Sequence, residues 1–368
     1  MSKSKKSTKS TSSADASGVL PAHLQEIRDK VFVHSTHLDH TNAAEDPDAF
    51  RAVDFDNSFT LEDFKKKFKI TVIEKSDEKM VFDMVGVGAP IANALRRILI
   101  SDVPTMAIEK VILFQNTSLI QDEVLAHRLG LIPINADPHK FKYVSECNGE
   151  ATEDNTTVFT LEVACARNPK AAPSAPPAQA YINGVVYSNA LKWVPQGAQA
   201  EKFAAEPIAP VHDDIILAKL RPGQSIEAEL HVVKGIGRDH AKWSPAATVF
   251  YRQLPDVSFT EPFYGAEAQA LKALCPMNVF DIEDLGNGPQ AVAARPRDCT
   301  VCRECVREPE REKRIKLRRV REHYIFSIES AGQITPETMF RDALIEFKKK
   351  LGIIYADLLA AEPAAAAE

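Results

Sequence analysis

The sequence predicts an α+β fold, and three patterns in its 368 residues carry that prediction. An apolar helix at residues 89–100 follows a strand hairpin. Several stretches of residues 105–240 alternate between apolar and polar side chains, as half-buried strands do, so this region is predicted to be mostly β. A second apolar helix follows a strand near the C-terminal end and begins at Thr335-Pro336-Glu337, which is a capping sequence.

The composition argues against several classes of function. The net charge of −6 leaves no overall positive surface for wrapping nucleic acid. No apolar run is as long as a membrane span, so we expect no membrane partner. The first residues are rich in Ser, Lys and Thr and lack the apolar segment of a secretory signal. We therefore predict a disordered or weakly ordered N-terminal tail at residues 1–60 and a reducing compartment for the six cysteines.

The first helix follows directly from the predicted hairpin at residues 64–87, whose turn is Ser76-Asp77-Glu78. Pro90 suits the start of a helix, where a missing N–H costs nothing. Periodicity alone leaves open whether the apolar face packs on the chain's own sheet or in a dimer. The face has the spacing of one helical stripe: Ile91, Ala94, Leu95, Ile98 and Leu99.

Two patterns near this helix look like sites but are weak. Gly86 and Gly88 follow a strand and precede a helix, as in a dinucleotide-binding turn, but Ile91 replaces the third glycine and Pro90 removes an amide. Three histidines spaced three apart (His34, His37 and His40) have no obvious further ligand in their segment. We expect a connector there and not a metal site.

Four cysteines near one another have the spacing of a metal site. Cys299, Cys302 and Cys305 form a C-x2-C-x2-C run, and Cys275 stands beside a proline. This resembles the ligand run of ferredoxin-type iron–sulfur sites. Four thiolates also suit zinc, and a loop of free thiols is the third alternative. A redox enzyme built on this site would further need a substrate or nucleotide site, for which the turn at Gly86 is the only candidate.

The C-terminal helix carries an apolar seam with the alternating steps of a heptad repeat. A single helix with such a seam needs a partner to bury it. The basic stretch at residues 307–321 lacks aromatic residues, so an acidic protein partner or a solvated face is expected there and not DNA. The seam consists of Phe340, Leu344, Phe347, Leu351, Ile354 and Leu358.

Several stretches together resemble the α-type assembly subunits of multisubunit RNA polymerases, including bacterial α and the archaeal D subunit. They are residues 90–99 (PIANALRRIL), 127–133 (HRLGLIP), 232–235 (VVKG) and 327–332 (SIESAG) with the helix that follows. Residues 187–195 (YSNALKWVP) and 235–245 (GIGRDHAKWSP) resemble the larger α-like subunit shared by eukaryotic RNA polymerases I and III. The RNA polymerase II relative is the alternative, but its inserted domain typically carries a cysteine-rich zinc loop. Only Cys147 and Cys165 lie in that domain here.

The resemblance implies a domain organisation. It predicts an RNA-polymerase-α-type dimerisation domain made of two segments, 61–104 and 316–360, with an inserted mostly β domain at 105–240. Return strands are expected at 241–265, a small cysteine-rich, ferredoxin-like subdomain at 266–315, and a tail at 361–368.

The resemblance also implies a function, that of a non-catalytic assembly subunit of RNA polymerases I and III, which transcribe rRNA, 5S rRNA and tRNA. It would pair with a smaller α-like subunit and so nucleate docking of the second-largest subunit, near small zinc-bearing subunits. DNA would be met only through the complex, in the nucleolus and nucleoplasm. The sequence has no Asp-x-Asp-x-Asp triad for paired magnesium ions. An iron–sulfur redox protein and a sequence-specific DNA-binding factor are the remaining alternatives.

The same resemblance implies roles for individual residues. Arg96 and Arg97 would contact a large subunit, or else be solvated helix charges. Archaeal relatives hold an iron–sulfur cluster on the pattern that Cys275, Cys299, Cys302 and Cys305 match, although some eukaryotic relatives have lost these cysteines. The expected dimer interface comprises Ile91, Asn93, Leu95, Ile98, Leu99, Phe340, Leu344, Phe347, Leu351 and Ile354.

Overall fold

A computed structural model of the chain describes residues 20–42, 46–172, 176–284, 286 and 288–365. Its α-helices are α1 (Ala22–Asp29), α2 (Leu61–Lys67), α3 (Ala89–Ser101), α4 (Asp122–Gly130), α5 (Pro177–Ala180), α6 (Gln199–Lys202), α7 (Gly265–Leu274), α8 (Pro309–Arg314) and α9 (Pro336–Ala365). Its first strands are β1 (Lys30–Val33), β2 (Leu38–Asp39), β3 (Lys69–Lys75), β4 (Lys79–Val85), β5 (Pro104–Asn116), β6 (Ile134–Asn135), β7 (Thr156–Ala164), β8 (Ala166–Arg167) and β9 (Tyr181–Ile182). The later strands are β10 (Val185–Tyr187), β11 (Lys192–Val194), β12 (Ala209–Pro210), β13 (Ile216–Lys219), β14 (Ser225–Ile236), β15 (Ala246–Phe259), β16 (Phe280–Asp284), β17 (Pro289–Ala293) and β18 (Ile315–Ser330).

The mixture of helices and sheets agrees with the predicted α+β class. The largest sheet has the strand order β2-β1-β18-β4-β3, and β15 also pairs with β18. A four-stranded sheet has the order β11-β7-β14-β5. Among the helices that the structure describes, none is long and apolar enough to span a membrane.

The chain forms two compact units, which divide it at other places than the predicted domain boundaries. The first comprises the described residues within Met1–Thr71, Asp83–Ala92 and Tyr251–Ile325. The second comprises those within Val72–Phe82, Asn93–Phe250 and Phe326–Glu368.

The core of the second unit lies under β14, the strand with the clearest alternation in the sequence. Every second residue of β14 is buried from Ile226 to Val232, as the alternation predicts. Leu230 lies opposite Phe159 of β7 and Val111 of β5. Helix α4 adds Leu125 and Leu129 to the same core. The predicted mostly β character of this region is therefore observed.

The hairpin of β3 and β4 forms with the predicted turn, in which the Ser76 N–H donates to the Lys79 carbonyl at 2.8 Å. The two strands differ in burial, however. Met80, Phe82 and Met84 of β4 are buried, whereas β3 is exposed along its whole length, including Ile70 and Val72. A strand at the edge of a sheet can remain exposed on both faces.

The prediction of a weakly ordered tail at residues 1–60 is wrong for part of that range. Residues 1–19 and 43–45 lie outside the described residues, but α1, β1 and β2 are regular elements. Strand β1 pairs with β18 in the register Lys30↔Val320, and its Val31 and Val33 are buried. Four residues are too few for alternation to stand out in a sequence, and the pairing strand lies almost 300 residues away.

The predicted cysteine-rich subdomain corresponds to α7, the β16–β17 hairpin, short 3-10 turns and α8. Its core within the first unit includes Phe263, Leu271, Phe280, Ala291 and Val306. The ferredoxin-like description of this region stays a prediction.

Candidate interaction surface and cysteine site

Helix α9 is buried at its beginning and exposed afterwards. In its first turns Met339 and Ala343 are buried, and the Phe340 ring meets the Phe82 ring edge-on with 4.9 Å between centroids. From residue 344 onward, most large apolar side chains of α9 are exposed, whereas Phe347 is half-buried. We call these side chains the α9 surface: Leu344, Ile345, Leu351, Ile353, Ile354, Tyr355, Leu358 and Leu359.

Charged contacts hold α9 in place. The buried carboxylate of Asp102, just after α3, accepts from Lys350 Nζ of α9 at 2.7 Å and from Arg238 Nη2 at 2.7 Å. Near the start of α9, Asp342 lies 3.0 Å from His139 Nε2, and burial raises the pKa of this carboxyl group. The buried contacts therefore fix the helix by its N-terminal half and leave the α9 surface uncovered.

The predicted interface residues of α3 are mostly buried, unlike those of α9. Leu95, Ile98 and Leu99 are buried by the chain itself, whereas Ile91 is exposed. Asn93 Oδ1 accepts from Arg96 Nε at 3.1 Å and from Arg96 Nη2 at 3.0 Å. Arg97 is exposed, next to this fixed guanidinium. Both arginines are thus accessible on one helix, and their contact with a large subunit stays a prediction.

The four predicted cysteine ligands line one small cavity in the first unit. Its other walls are mostly apolar and include Val257, Val279 and Leu317. Cys299 is buried, Cys275 and Cys305 are half-buried, and Cys302 is exposed. Burial and the neighbouring cysteines raise the pKa of the Cys305 thiol to about 12, and burial likewise raises the pKa of Cys299.

The backbone around the cysteines has two features that are common in metal-binding loops. Backbone N–H groups point at two of the sulfurs, from Val279 to Cys275 Sγ at 3.4 Å and from Val301 to Cys299 Sγ at 3.3 Å. Val301 and Arg303 have φ angles of 58° and 69°, which is the left-handed region that side chains rarely adopt. Such strain is typical of a turn that a function requires.

The four sulfurs, all in described residues, are not grouped as tightly as the ligands of a bound zinc ion. A tetrahedral zinc ion with Zn–S bonds of about 2.3 Å holds its sulfurs about 3.8 Å apart. No three of these sulfurs lie within 4.8 Å of one another. In a four-iron cluster each thiolate binds a different iron, so its ligands are spread further. Four soft thiolates are a donor set that suits an iron–sulfur cluster, and binding of a cluster here stays a prediction.

The cysteine loop is anchored by an ion pair two residues before Cys299. Arg297 donates to both carboxylate oxygens of Asp83, Nη1 to Oδ2 at 2.8 Å and Nη2 to Oδ1 at 2.6 Å. The hydrogen bonds from Arg297 lower the pKa of Asp83. A two-pronged pair of this kind fixes geometry as well as charge.

Comparison with known proteins assigns the family. The family described as RNA polymerase Rpb3/Rpb11 dimerisation domain matches residues 81–351. The chain belongs to this family. It is 45% identical over 339 residues to the subunit "DNA-directed RNA polymerases I and III subunit rpac1" of Dictyostelium discoideum, covering 92% of this chain and 95% of that protein. The corresponding RPAC1 subunit of Homo sapiens is 43% identical, with 87% and 92% covered.

The comparisons also separate the two branches of this dimerisation family. The RNA polymerase II subunit rpb3 of Dictyostelium discoideum is 28% identical, with 80% of this chain and 96% of that protein covered. The resemblance to the branch shared by polymerases I and III is thus confirmed over the polymerase II alternative.

Sequence reasoning did not single out Asp102, the carboxylate that fixes α9. Asp102 lies between the apolar helix and the buried residue Val103, which is a weak signal for a buried charge. Its partners Arg238 and Lys350 are 136 and 248 residues away. No local pattern connects them.

Proposed function

We propose that this chain is an assembly subunit of DNA-directed RNA polymerases I and III, without catalytic residues of its own. The observation that carries the proposal is the α9 surface, a set of uncovered apolar side chains on one helix in a member of a dimerisation family. Large exposed apolar patches mark surfaces that bind other proteins. The names of the relatives, subunits of polymerases I and III, supply the complex.

The proposed partner on the α9 surface is a smaller α-like subunit. The exposed seam residues Leu351, Ile354 and Leu358 recur at steps of three and four, so one partner helix can cover them together. Exposed Ile91 of α3 is a further proposed interface residue. The pair would then dock the second-largest subunit, close to small zinc-bearing subunits.

Arg96 and Arg97 are the proposed contacts to a large subunit. Asn93 already holds the Arg96 guanidinium in one orientation, so less conformational freedom would be lost when it pairs with a carboxylate. As a subunit of these polymerases, the chain would act in the nucleus, including the nucleolus.

We further propose that Cys275, Cys299, Cys302 and Cys305 hold an iron–sulfur cluster. The metal–thiolate bonds of a cluster would fix the loop after Arg297 against the cavity walls. Anaerobically purified chain is expected to be brown and to contain iron and acid-labile sulfide. One equivalent of zinc without iron would replace this proposal by a structural zinc site, and absence of both metals would remove it.

The assembly role is tested by mild purification of the tagged chain from its native source, with identification of co-purifying proteins by mass. Recovery of the largest subunits of polymerases I and III together with one small α-like subunit is expected. Recovery of polymerase II subunits alone would contradict the assignment, and recovery of no polymerase subunit would contradict the assembly role.

A further inference from the structure

A cleft of about 790 Å³ lies in the first unit, and none of the four cysteines lines it. Its walls come from α1, β1, α2, β15 and β18 and from the start of α3. Arg319 of β18 lies opposite Val31 of β1, and both line the cleft. Arg321 holds another wall in place, because its Nη1 donates to the Asn42 carbonyl at 2.8 Å. A cleft of this volume can take several side chains of another molecule.

The cleft carries a surplus of positive charge. Asp29 already accepts from Arg28 Nε at 2.8 Å. The side chains of Lys67 and Arg319, by contrast, have no hydrogen-bond or ion-pair partner among the described residues. The N-terminal end of α3 adds the partial positive charge of a helix dipole. We call this the cationic cleft, and its charged lining consists of Arg28, Lys67, Arg319 and Arg321 with the carboxylates Asp29 and Glu322.

Helix α2 borders the cationic cleft, and none of its residues is buried. Its last residue, Lys67, is part of the cleft lining. The Phe59 side chain, just before α2, is 76% exposed, and its ring centroid lies 5.9 Å from that of Phe64. A helix this short is marginal by itself, and exposed apolar clusters are typical of surfaces that another chain covers. We call the apolar side chains on α2 and at its two ends the α2 surface: Phe59, Leu61, Phe64 and Phe68.

The charge of the cleft narrows the class of molecule that fits it. The chain's own residues 1–19 contain four lysines and one acidic residue, so they do not complement the cleft. A nucleic acid is disfavoured as well, because the Phe64 and Phe68 rings stack on each other with 5.2 Å between centroids and leave those faces closed to a base. Glu322 would also repel phosphate groups. A protein segment with both carboxylates and apolar side chains fits the cleft and the α2 surface together.

We propose that the cationic cleft and the α2 surface bind an acidic segment of another protein. Carboxylates of that segment would pair with Lys67 and Arg319, and a guanidinium can hold a carboxylate by two hydrogen bonds. An apolar side chain of the same segment would cover the exposed ring of Phe59. No residue of the α9 surface takes part, so this contact is separate from the pairing proposed for α9.

The test uses the full-length tagged chain in its native complex. Photoreactive p-benzoylphenylalanine replaces Phe59, the complex is irradiated, and the cross-linked peptide is identified by mass spectrometry. We expect a segment of another protein in which Asp and Glu outnumber Lys and Arg. The same probe in place of Tyr264 is the matched control, because Tyr264 is 41% exposed in the first unit but lies outside the α2 surface. The control should not reach that segment.

Cross-links from position 59 to a nucleic acid, to a basic segment, to this chain or to nothing would overturn the proposal. So would cross-links from both positions to the same segment.

Charge-reversal variants test the cleft without the cross-linker. Lys67→Glu and Arg319→Glu are each expected to lower recovery of the cross-linked protein about tenfold in purification at about 0.15 M salt, since like charges would then face each other. The small α-like partner proposed for α9 should remain bound. Lys313→Glu is the matched control, because this exposed lysine of the first unit lies outside the cleft, and full recovery is expected.

A thermal melt checks the fold of each variant. Lys67 is exposed at the end of α2, so Lys67→Glu keeps the test decisive if Arg319→Glu does not fold. Equal recovery with folded Lys67→Glu and with Lys313→Glu would overturn the proposal. Loss of the α9 partner together with the cross-linked protein would also overturn it, because the two contacts would then not be separate.

Discussion

Replacing Ile354 by aspartate tests whether the α9 surface is a pairing surface. Ile354 lies in the apolar seam, and its side chain is 56% exposed in this chain. Full burial of an isoleucine is worth about 1.5–3 kcal/mol, so covering the exposed half would contribute about 1 kcal/mol. A carboxylate at the same place would be buried without a partner, which adds about 3 kcal/mol to the cost.

The expected loss is therefore about 4 kcal/mol, or roughly a thousandfold in Kd. Ile353→Asp is the matched control, because Ile353 belongs to the α9 surface and is also 56% exposed but lies outside the seam, about 100° around the helix from Ile354. We expect the control to weaken pairing less than tenfold. The assay is a titration of the labelled chain with the co-purified small α-like subunit, read by fluorescence anisotropy.

Helicity measured by circular dichroism should be the same in both variants, since each replaces one exposed side chain of α9. Equal weakening by the two substitutions would show that the contact does not follow the seam. Unchanged affinity in Ile354→Asp would refute the reasoning altogether, because a buried, unpaired carboxylate cannot be neutral in energy.

Two further predictions concern the stability of the first unit, measured by urea unfolding. Arg297→Ala removes the two-pronged partner of the buried Asp83 carboxylate and leaves it with His323, whose Nε2 lies 3.1 Å from Oδ2, so it should destabilise the chain by about 2 kcal/mol at pH 7. Because the pKa of Asp83 is lowered in the folded chain, this difference should shrink as the pH falls below the ordinary pKa of 3.8; an unchanged difference well below that pH would contradict the pair's role. Gly86→Ala should cost about 2–4 kcal/mol, since Gly86 has a φ of 81° and an added Cβ would lie 2.7 Å from the Lys67 carbonyl carbon. Gly223→Ala, at a φ of 89° with open space around it, should cost only about 1 kcal/mol, and equal losses would count against the close contact.

The elements that were predictable are those whose signal is local. The alternation in β14 was readable because every buried position follows the last by two residues, and α9 because its apolar positions repeat over several turns. The turn at Ser76 was readable because a short polar run separates two apolar strands. The four cysteines were readable as one site because three of them are almost adjacent in sequence.

The features that were not predictable depend on residues brought together by the fold. His34 and Glu312 are 278 residues apart, and neither is unusual in its own segment. The interpretation of the three histidines as a connector did not consider Asp39, which the structure places beside His34 and His37. His40 has a positive φ of 57°, and its ring packs edge-on against the ring of Phe32.

The two apolar helices were predicted to act alike, but their burial differs, and this difference leads to a last prediction. Leu99 of α3 is fully buried by the chain itself, so Leu99→Ala should destabilise folding by about 2–5 kcal/mol whether or not a partner is present. Leu351 of α9 is 52% exposed, so Leu351→Ala should leave the unfolding free energy of the isolated chain within about 0.5 kcal/mol of its original value.

When the affinity for the partner is measured, the order of the two variants should be reversed, with the larger loss in Leu351→Ala. Leu351→Ala should weaken pairing by about 1 kcal/mol, roughly fivefold in Kd, because the exposed half of the side chain would be covered only in the pair. Leu99→Ala, tested below its unfolding transition, should change Kd little unless the partner also contacts this residue. A loss of pairing in folded Leu99→Ala that matches the loss in Leu351→Ala would place both helices in the interface, as the family resemblance implies. A loss in Leu351→Ala alone would place the contact on α9 and assign the apolar face of α3 to the chain's own core.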